Sequence, residues 1–168
     1  MEMPPVDIAS RREALLNYSN DRVIKRFIHK INVSHEDASN AFLAMKQFLY
    51  AASNFKEACV PSKYIDEMWH TFILFTKDYR DFCEFHFGFF IDHHPTDHNE
   101  ENFARYILFR ENAQSIFGSL NTLMWPDPSE LHQQETEGLT AQSKSAQFKN
   151  EEQCNLKCNP KCNPTPVR

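Results

Sequence analysis

Apolar side chains recur every three or four residues along most of the chain up to Pro126, which is the spacing of one face of an α-helix. One such stripe runs through residues 23–31, after Asp21, which we expect to cap the helix. A longer stripe follows the capping-box signal formed by Ser34 and Asp37. The pattern therefore predicts two amphipathic helices that pack together.

Turn-forming and capping residues predict three further helices. Pro61 opens the first of them. Thr76 is the expected N-cap of the second, which Gly88 ends, and Asp97 caps a long last helix that ends at Gly118. Alternation of apolar and polar residues never continues for more than a few positions, so strands are not expected. The predicted fold class is all-α, a single small domain of five or six helices.

The aromatic residues divide the chain into two parts. Residues 1–126 contain 14 of the 15 Phe and both Trp. Residues 127–168 contain a single aromatic side chain, Phe148, among many Gln, Asn, Ser, Lys and Glu. Such a polar segment cannot bury enough apolar surface to offset the entropy lost on ordering. We therefore predict one helical domain over residues 1–126 and a flexible, disordered tail over residues 127–168.

Charge and composition exclude several classes of function. The formal net charge is -5 and no cluster of Lys and Arg is apparent, so we do not expect a nucleic-acid partner. No segment approaches the roughly 20 apolar residues of a membrane span, and the first residues lack the apolar run of a signal peptide. Three Gly are too few for the usual Gly-rich phosphate loops. We expect a cytoplasmic protein with reduced thiols and no membrane contact.

Side chains that bind metals or transfer protons collect in residues 61–97. Asp66 and His70 lie four residues apart on one predicted helix, so their side chains can meet. Cys83 and His86 lie three residues apart on the next helix, and a hairpin of the two helices would let the two pairs converge. Carboxylate, imidazole and thiolate together would suit Zn(II) or Fe(II).

These residues also have an ordinary structural interpretation. Buried His and Cys side chains often serve as core residues, and Asp66 with His70 can be a simple pair on a helix surface. The neighbouring His93 and His94 point in different directions, which favours a solvated loop. The spacing in this region matches neither HExxH nor another strong zinc signature.

Three cysteines form a regular repeat near the end of the chain. Cys154, Cys158 and Cys162 occur in the sequence CNLKCNPKC. Three thiols at this spacing can bind a soft metal or a cluster, although they lack the CxxC pairs of confident zinc sites. A different hypothesis is that the segment is a substrate, because a Cys-rich end behind a folded leader resembles the precursors of modified peptides.

Several longer segments resemble a known family. They are, in order, AFLAMKQFLYAAS, PSKYIDEMWHTFILFTKDYRDFCEFHFGFFIDHHP, ARYILFRENAQSIFG and MWP. They resemble the bacterial glycine-rich domain-containing-protein-like family, which is distantly related to a region of plant glycine-rich domain proteins. The resemblance lies within residues 41–126, and its central motif falls on Ile65 to Pro95.

The resemblance implies site residues but no established activity. The positions that match the family motif are Asp66, Glu67, Trp69, His70, Tyr79, Cys83 and His93. Where the family has the first His of a pair, this chain has Asp92, whose carboxylate still binds metals but changes the softness and charge of the site. The metal site predicted on this basis has four ligands, with two additional candidates. These are Asp66, His70, Cys83 and His93, and then Asp92 and His86.

We predict that the protein is a small cytoplasmic metal-binding or protein-interaction module with this site on a helical hairpin. The metal would be a divalent transition ion, Zn(II) or Fe(II), and the partner another protein. One alternative is an enzyme, because the same Asp, His and Cys side chains can supply a general base and a thiolate nucleophile. In another alternative the helical domain is a leader or scaffold, and the Cys-containing tail is modified as a peptide precursor.

Overall fold

The computed structural model describes residues 8–55, 61–93 and 100–130, and in these residues it contains helices and no strands. The predicted all-α class is confirmed. Within these ranges no helix has the length and the apolar character that crossing a membrane requires. Six helices lie entirely within these ranges, namely α1 (Ile8–Asn17), α2 (Asp21–Ile31), α3 (His35–Asn54), α4 (Lys63–Ile73), α5 (Thr76–Phe87) and α6 (Glu100–Phe117).

Helix α3 lies at the centre of the domain and contacts α1, α2, α4 and α6. Its small residues allow this close approach, because Ala38, Ala41 and Ala44 are all buried. Phe48, which is fully buried, packs its ring against Trp69 of α4 and Phe109 of α6. One continuous core therefore joins these helices around α3.

Helix α1 has no clear apolar stripe and was not among the helices that the pattern predicts. Its Leu15 is buried in the core, and the helix contacts α3 and α5. Lys46 of α3 is 3% exposed, and its Nζ donates hydrogen bonds to the carbonyls of Leu16 and Tyr18. A cation at a helix C-terminus is favourable. Tertiary contacts, rather than local periodicity, fix the position of α1.

The predicted N-cap is correct for α3, whereas the N-caps of α2 and α5 lie one residue before the predicted ones. Ser34 caps α3, since its Oγ accepts from the backbone N–H of Asp37 and donates to the Asp37 carboxylate. The N-cap of α2 is Asn20, whose side chain accepts from two backbone N–H groups, and Asp21 is the first helical residue. Thr76 is likewise the first residue of α5 and not its cap.

The segment after α6 returns to the core. Trp125 is fully buried, and Arg110 Nε donates to its carbonyl at 3.3 Å. Ser62 Oγ donates to the carbonyl of Met124, and the Tyr106 hydroxyl donates to that of Pro126 at 3.0 Å. These bonds attach the segment to α4 and α6. The predicted domain boundary after residue 126 stays a prediction, because residues 131–168 lie outside the described residues.

Candidate metal centre

Helix α4 presents two candidate ligands one turn apart. Its buried face includes Met68 and Trp69, which leaves Asp66 and His70 at the edge of the core. Their side chains are 22% and 24% exposed. The distance from His70 Nδ1 to Asp66 Oδ2 is 3.6 Å, so the two side chains face each other as the four-residue spacing predicts.

The chain that follows α5 is held against α4 by a relay of hydrogen bonds. Gly88 ends α5 with a φ of 79°, a left-handed conformation that glycine adopts without steric cost. Beyond this turn, the buried Tyr79 hydroxyl donates to the carbonyl of Ile91 at 2.7 Å. The same hydroxyl accepts from Trp69 Nε1 at 2.9 Å. Residues 89–93 are therefore anchored to both α4 and α5.

This anchoring brings His93 to the pair on α4. His93 Nε2 lies 3.2 Å from Asp66 Oδ1, and the His93 side chain is only 5% exposed. Its ring contacts two others, with centroid distances of 4.0 Å to Trp69 and 4.6 Å to His70. The Asp66 carboxylate thus has one oxygen facing each imidazole.

Asp66, His70 and His93 form a group that can hold a metal ion. One ligand atom from each lies within 4.8 Å of the others. Bonds of about 2.0–2.2 Å in a tetrahedral site separate neighbouring ligand atoms by roughly 3.3–3.6 Å. The two imidazole–carboxylate distances, 3.2 and 3.6 Å, are close to this separation, but each ends on a different oxygen of Asp66, so they describe a carboxylate that uses both oxygens. A carboxylate between two imidazoles is also the ligand set of many iron and zinc sites.

Hydrogen bonding within the described residues leaves part of each imidazole unexplained. His70 Nε2 and His93 Nδ1 are buried and have no hydrogen-bond partner there. A core histidine with a purely structural role would normally pair its buried nitrogens. These are the ring nitrogens that do not face Asp66, and His86 Nδ1 and Trp125 Nε1 are likewise buried without a partner among the described residues, so the unpaired atoms do not distinguish a metal site from a structural cluster.

The protonation state of His70 suits metal binding. Burial lowers the pKa of His70, and the Asp66 carboxylate only partly opposes that effect. The ring is therefore neutral near pH 7, which is the form with a lone pair for a metal. A neutral imidazole beside an ionised carboxylate is a ready donor set for a divalent cation.

An ion pair lies beside the three ligands. Lys30 of α2 approaches Glu67 of α4, with 2.7 Å between Nζ and Oε2. Both charges act on the pKa of His70, Glu67 raising it and Lys30 lowering it, after the larger effect of burial. The sequence gives no sign of Lys30, because it lies 36 positions before Asp66 and joins the site only through the packing of α2 on α4.

The other residues of the predicted site lie elsewhere. Cys83 is fully buried in the core and does not join the three-residue group, so the geometry gives no support to it as a ligand. His86 contacts Tyr18 and Phe82 instead, with ring centroids 5.8 and 4.7 Å away. Asp92 is exposed and is also outside the group. The hairpin of α4 and α5 does form, but α5 directs Cys83 into the core.

The prediction also included the cysteine repeat near the end of the chain and two aromatic residues of the family motif. Cys154, Cys158 and Cys162 lie outside the described residues, so the cysteine repeat stays a prediction. Trp69 and Tyr79, which the periodicity placed on apolar helix faces and the family resemblance placed in the motif, position the site without supplying ligands. The signal that could have identified them is their pairing, since a buried Trp N–H and a buried Tyr hydroxyl each need a partner.

Comparison with known proteins identifies a family for this chain. A family model described as UCP032817-like matches residues 10–106, which is more than half of the chain and includes Asp66, His70 and His93. No curated protein and no solved structure matches the chain.

The family match corrects the resemblance drawn from the motifs. Assignment to the glycine-rich domain-containing-protein-like family is wrong, because the matching family is the UCP032817-like one. The motif consists largely of residues that a packed helical hairpin needs, such as the buried Trp69, Phe82 and Cys83. Such positions report packing, and they do not identify a family on their own.

Proposed function

We propose that this chain, which belongs to the UCP032817-like family, binds a divalent transition metal ion through Asp66, His70 and His93. The observation that carries the proposal is the convergence of three ligand atoms, from α4 and from the segment after α5, within 4.8 Å. Two imidazole nitrogens and one carboxylate suit Fe(II) and Zn(II). Because the group contains no thiolate, its ligands are harder, in the sense of hard and soft ligands, than the predicted set that included Cys83.

The proposed site would leave coordination positions of the metal free for other molecules. Three protein ligands leave at least one position of a tetrahedral ion, and more of an octahedral one, for water or another molecule. Closed structural sites normally use four protein ligands. An open metal site supports the enzyme alternative through metal-assisted chemistry, since a bound metal acidifies water and polarises carbonyl groups. Thiol chemistry is less favoured, because the Cys83 side chain has no exposed surface.

Metal content tests the proposal directly. The full chain, purified without a His tag, is loaded with Zn(II) or, without oxygen, with Fe(II), then dialysed and measured by elemental analysis. With Cys154, Cys158 and Cys162 replaced by Ser in every protein compared, so that the cysteine repeat adds no metal, we expect about one equivalent of metal in the otherwise unchanged protein, as for a tight single site. The variants Asp66→Asn, His70→Gln and His93→Gln should each lose most of it.

A matched control separates this site from weak surface binding by imidazole. His35 is exposed at the start of α3 and is not in the three-residue group, so His35→Gln should bind metal like the unchanged protein. Less than about a tenth of an equivalent in the unchanged protein would contradict the proposal, given the affinity of protein metal sites. Full metal content in His93→Gln would contradict it equally.

The remaining predictions follow from composition and not from the site. The cytoplasmic location, the protein partner and the lack of a nucleic-acid partner stay predictions that accompany this proposal. The net charge of -5 without a cluster of Lys and Arg is the basis for expecting no nucleic-acid partner. The lack of an apolar segment of membrane-spanning length is the basis for the location, and the seven Phe between positions 72 and 90 are the basis for a protein partner.

A further inference from the structure

A divalent ion bound by the three ligands would give the site a net positive charge. Two neutral imidazoles, the Asp66 carboxylate and a divalent ion together carry a net charge of about +1. The neighbouring ion pair of Lys30 and Glu67 adds no net charge. A positive charge in a half-buried site is stabilised by an anion that completes the coordination.

Lys30, which pairs with Glu67 beside Asp66 in the chain, has hydrogen-bond donors that this ion pair does not use. Its ammonium group has three N–H donors, and Glu67 is its only partner among the described residues. Its side chain is 44% exposed, so a molecule from solvent can reach it. Arg26, one turn earlier on α2, is also exposed and has no ion-pair partner in the described part of the chain. Two exposed basic side chains, Arg26 and Lys30, therefore lie one turn apart on the same face of α2.

On the basis of the proposed metal site, we propose that its open position binds a small molecule carrying a carboxylate, with Lys30 as the second contact of that carboxylate. A monoanion matches the net charge of the loaded site, whereas a dianion such as phosphate exceeds it. One carboxylate oxygen coordinates the metal and the other accepts a hydrogen bond from the Lys30 ammonium. Glu67 limits the affinity, because its own carboxylate competes for Lys30.

Cobalt provides a direct readout of the open position. Co(II) takes the place of Zn(II) or Fe(II), and its visible absorption changes when a ligand enters the coordination sphere. The full chain loaded with Co(II) is titrated with acetate and, as a neutral counterpart, with acetamide. We expect a saturable spectral change with acetate and none with acetamide. A stronger response to phosphate than to acetate would overturn the carboxylate preference.

Charge variants test the role of the ion pair. Lys30→Gln should weaken acetate binding by about three- to tenfold, the scale of one partly screened charge. Glu67→Gln should tighten it, since it removes the competing carboxylate. Lys25→Gln is the control, because Lys25 is exposed on another side of α2 and should leave the titration unchanged. Equal acetate affinity in Lys30→Gln and in the unchanged protein would overturn the assignment of Lys30.

The experiment separates this inference from the proposal on which it rests. Cobalt content is measured first in every variant. A protein that takes up no cobalt would contradict the metal site itself. A protein that takes up cobalt, but whose spectrum does not respond to acetate, would leave the metal site standing and overturn the carboxylate inference alone.

Discussion

His70 and His86 are both partly buried histidines, yet they sit in opposite electrostatic settings. Burial lowers the pKa of each ring. Beside His70 the Asp66 carboxylate opposes the shift, whereas beside His86 the Lys46 ammonium adds to it, and the pKa of His86 falls to about 4. The first ring is therefore placed to share a cation with a carboxylate, and the second is placed to stay uncharged among Tyr18 and Phe82.

The depressed pKa of His86 predicts a loss of stability in mild acid. The unfolded chain binds a proton at His86 near pH 6.5 but the folded chain only near pH 4, so the free energy of unfolding falls as the pH is lowered between these values. We expect His86 to contribute about 1–2 kcal/mol to this fall, less than the full shift implies because the ring is partly exposed. Urea unfolding at pH 7, 6, 5 and 4.5 measures it.

His86→Phe is the matched variant for that measurement. Phe keeps an aromatic ring against Tyr18 and Phe82 but cannot bind a proton. The difference in unfolding free energy between the variant and the unchanged protein should grow in favour of the variant as the pH falls from 6.5 to 4. Parallel curves over this range would show that His86 does not titrate as expected.

At the level of elements, the site depends on the junction between α4, α5 and the segment that follows. Helix α4 supplies Asp66 and His70 on its own, as a matter of helical spacing. His93 reaches them only because the Tyr79 hydroxyl links Trp69 on α4 to the carbonyl of Ile91. One hydroxyl therefore couples the two helices to the third ligand.

Tyr79→Phe should weaken the site without removing a ligand. The substitution leaves the Trp69 N–H and the Ile91 carbonyl without their buried partner, at a cost of about 1–3 kcal/mol in the free energy of unfolding. Because His93 loses its anchoring, we expect metal affinity to fall by roughly 10- to 100-fold, as for other supporting contacts of metal ligands. Calorimetric titration with Zn(II) measures the affinity, and chemical unfolding measures the stability.

Tyr50→Phe is the control for that variant. Tyr50 lies on α3, its ring packs against Phe117 with centroids 5.6 Å apart, and its hydroxyl makes no hydrogen bond among the described residues. The Tyr50→Phe protein should therefore keep the zinc affinity and the free energy of unfolding of the unchanged protein. A Tyr79→Phe protein with unchanged zinc affinity would mean that the relay does not position His93.

For the whole molecule, the core extends beyond the last long helix. Met124 and Trp125 are both fully buried, and backbone carbonyls of residues 124–126 accept hydrogen bonds from Ser62, Tyr106 and Arg110. The segment after α6 thus closes the domain over α4. Its removal would open the core on the side that faces Phe48, which packs on Trp125 with ring centroids 6.2 Å apart.

Two truncations test where the domain ends. A chain of residues 1–130 keeps this segment and should melt at nearly the temperature of the full chain. A chain of residues 1–120 loses Trp125 and should be destabilised by at least about 3–5 kcal/mol, the cost of emptying one large buried site. Thermal unfolding of the two chains distinguishes them. An equal decrease in melting temperature in both truncated chains would mean that residues after 130 contribute to the stability of the domain.

Local sequence predicted the helices that carry strong apolar stripes or clear caps. The stripe through Val23, Ile24 and Phe27 became the buried face of α2, and Ser34 caps α3 as expected. Helix α1 was missed because, among its residues 10–17, whose burial the structure describes, Leu15 alone is deeply buried, so the sequence shows no apolar stripe there. A helix whose position depends on contacts such as those of Lys46 cannot be recognised from its own residues.

The candidate site, like the set of helices, could be predicted from the sequence only in part. The sequence by itself determined that Asp66 and His70 face each other, because helical geometry fixes side chains four residues apart. Only the tertiary structure decided that His93 joins them, that Lys30 and Glu67 lie beside them, and that Cys83 turns into the core. The physical reason is that spacing sets the relative direction of side chains within one helix, whereas packing between helices sets which faces meet.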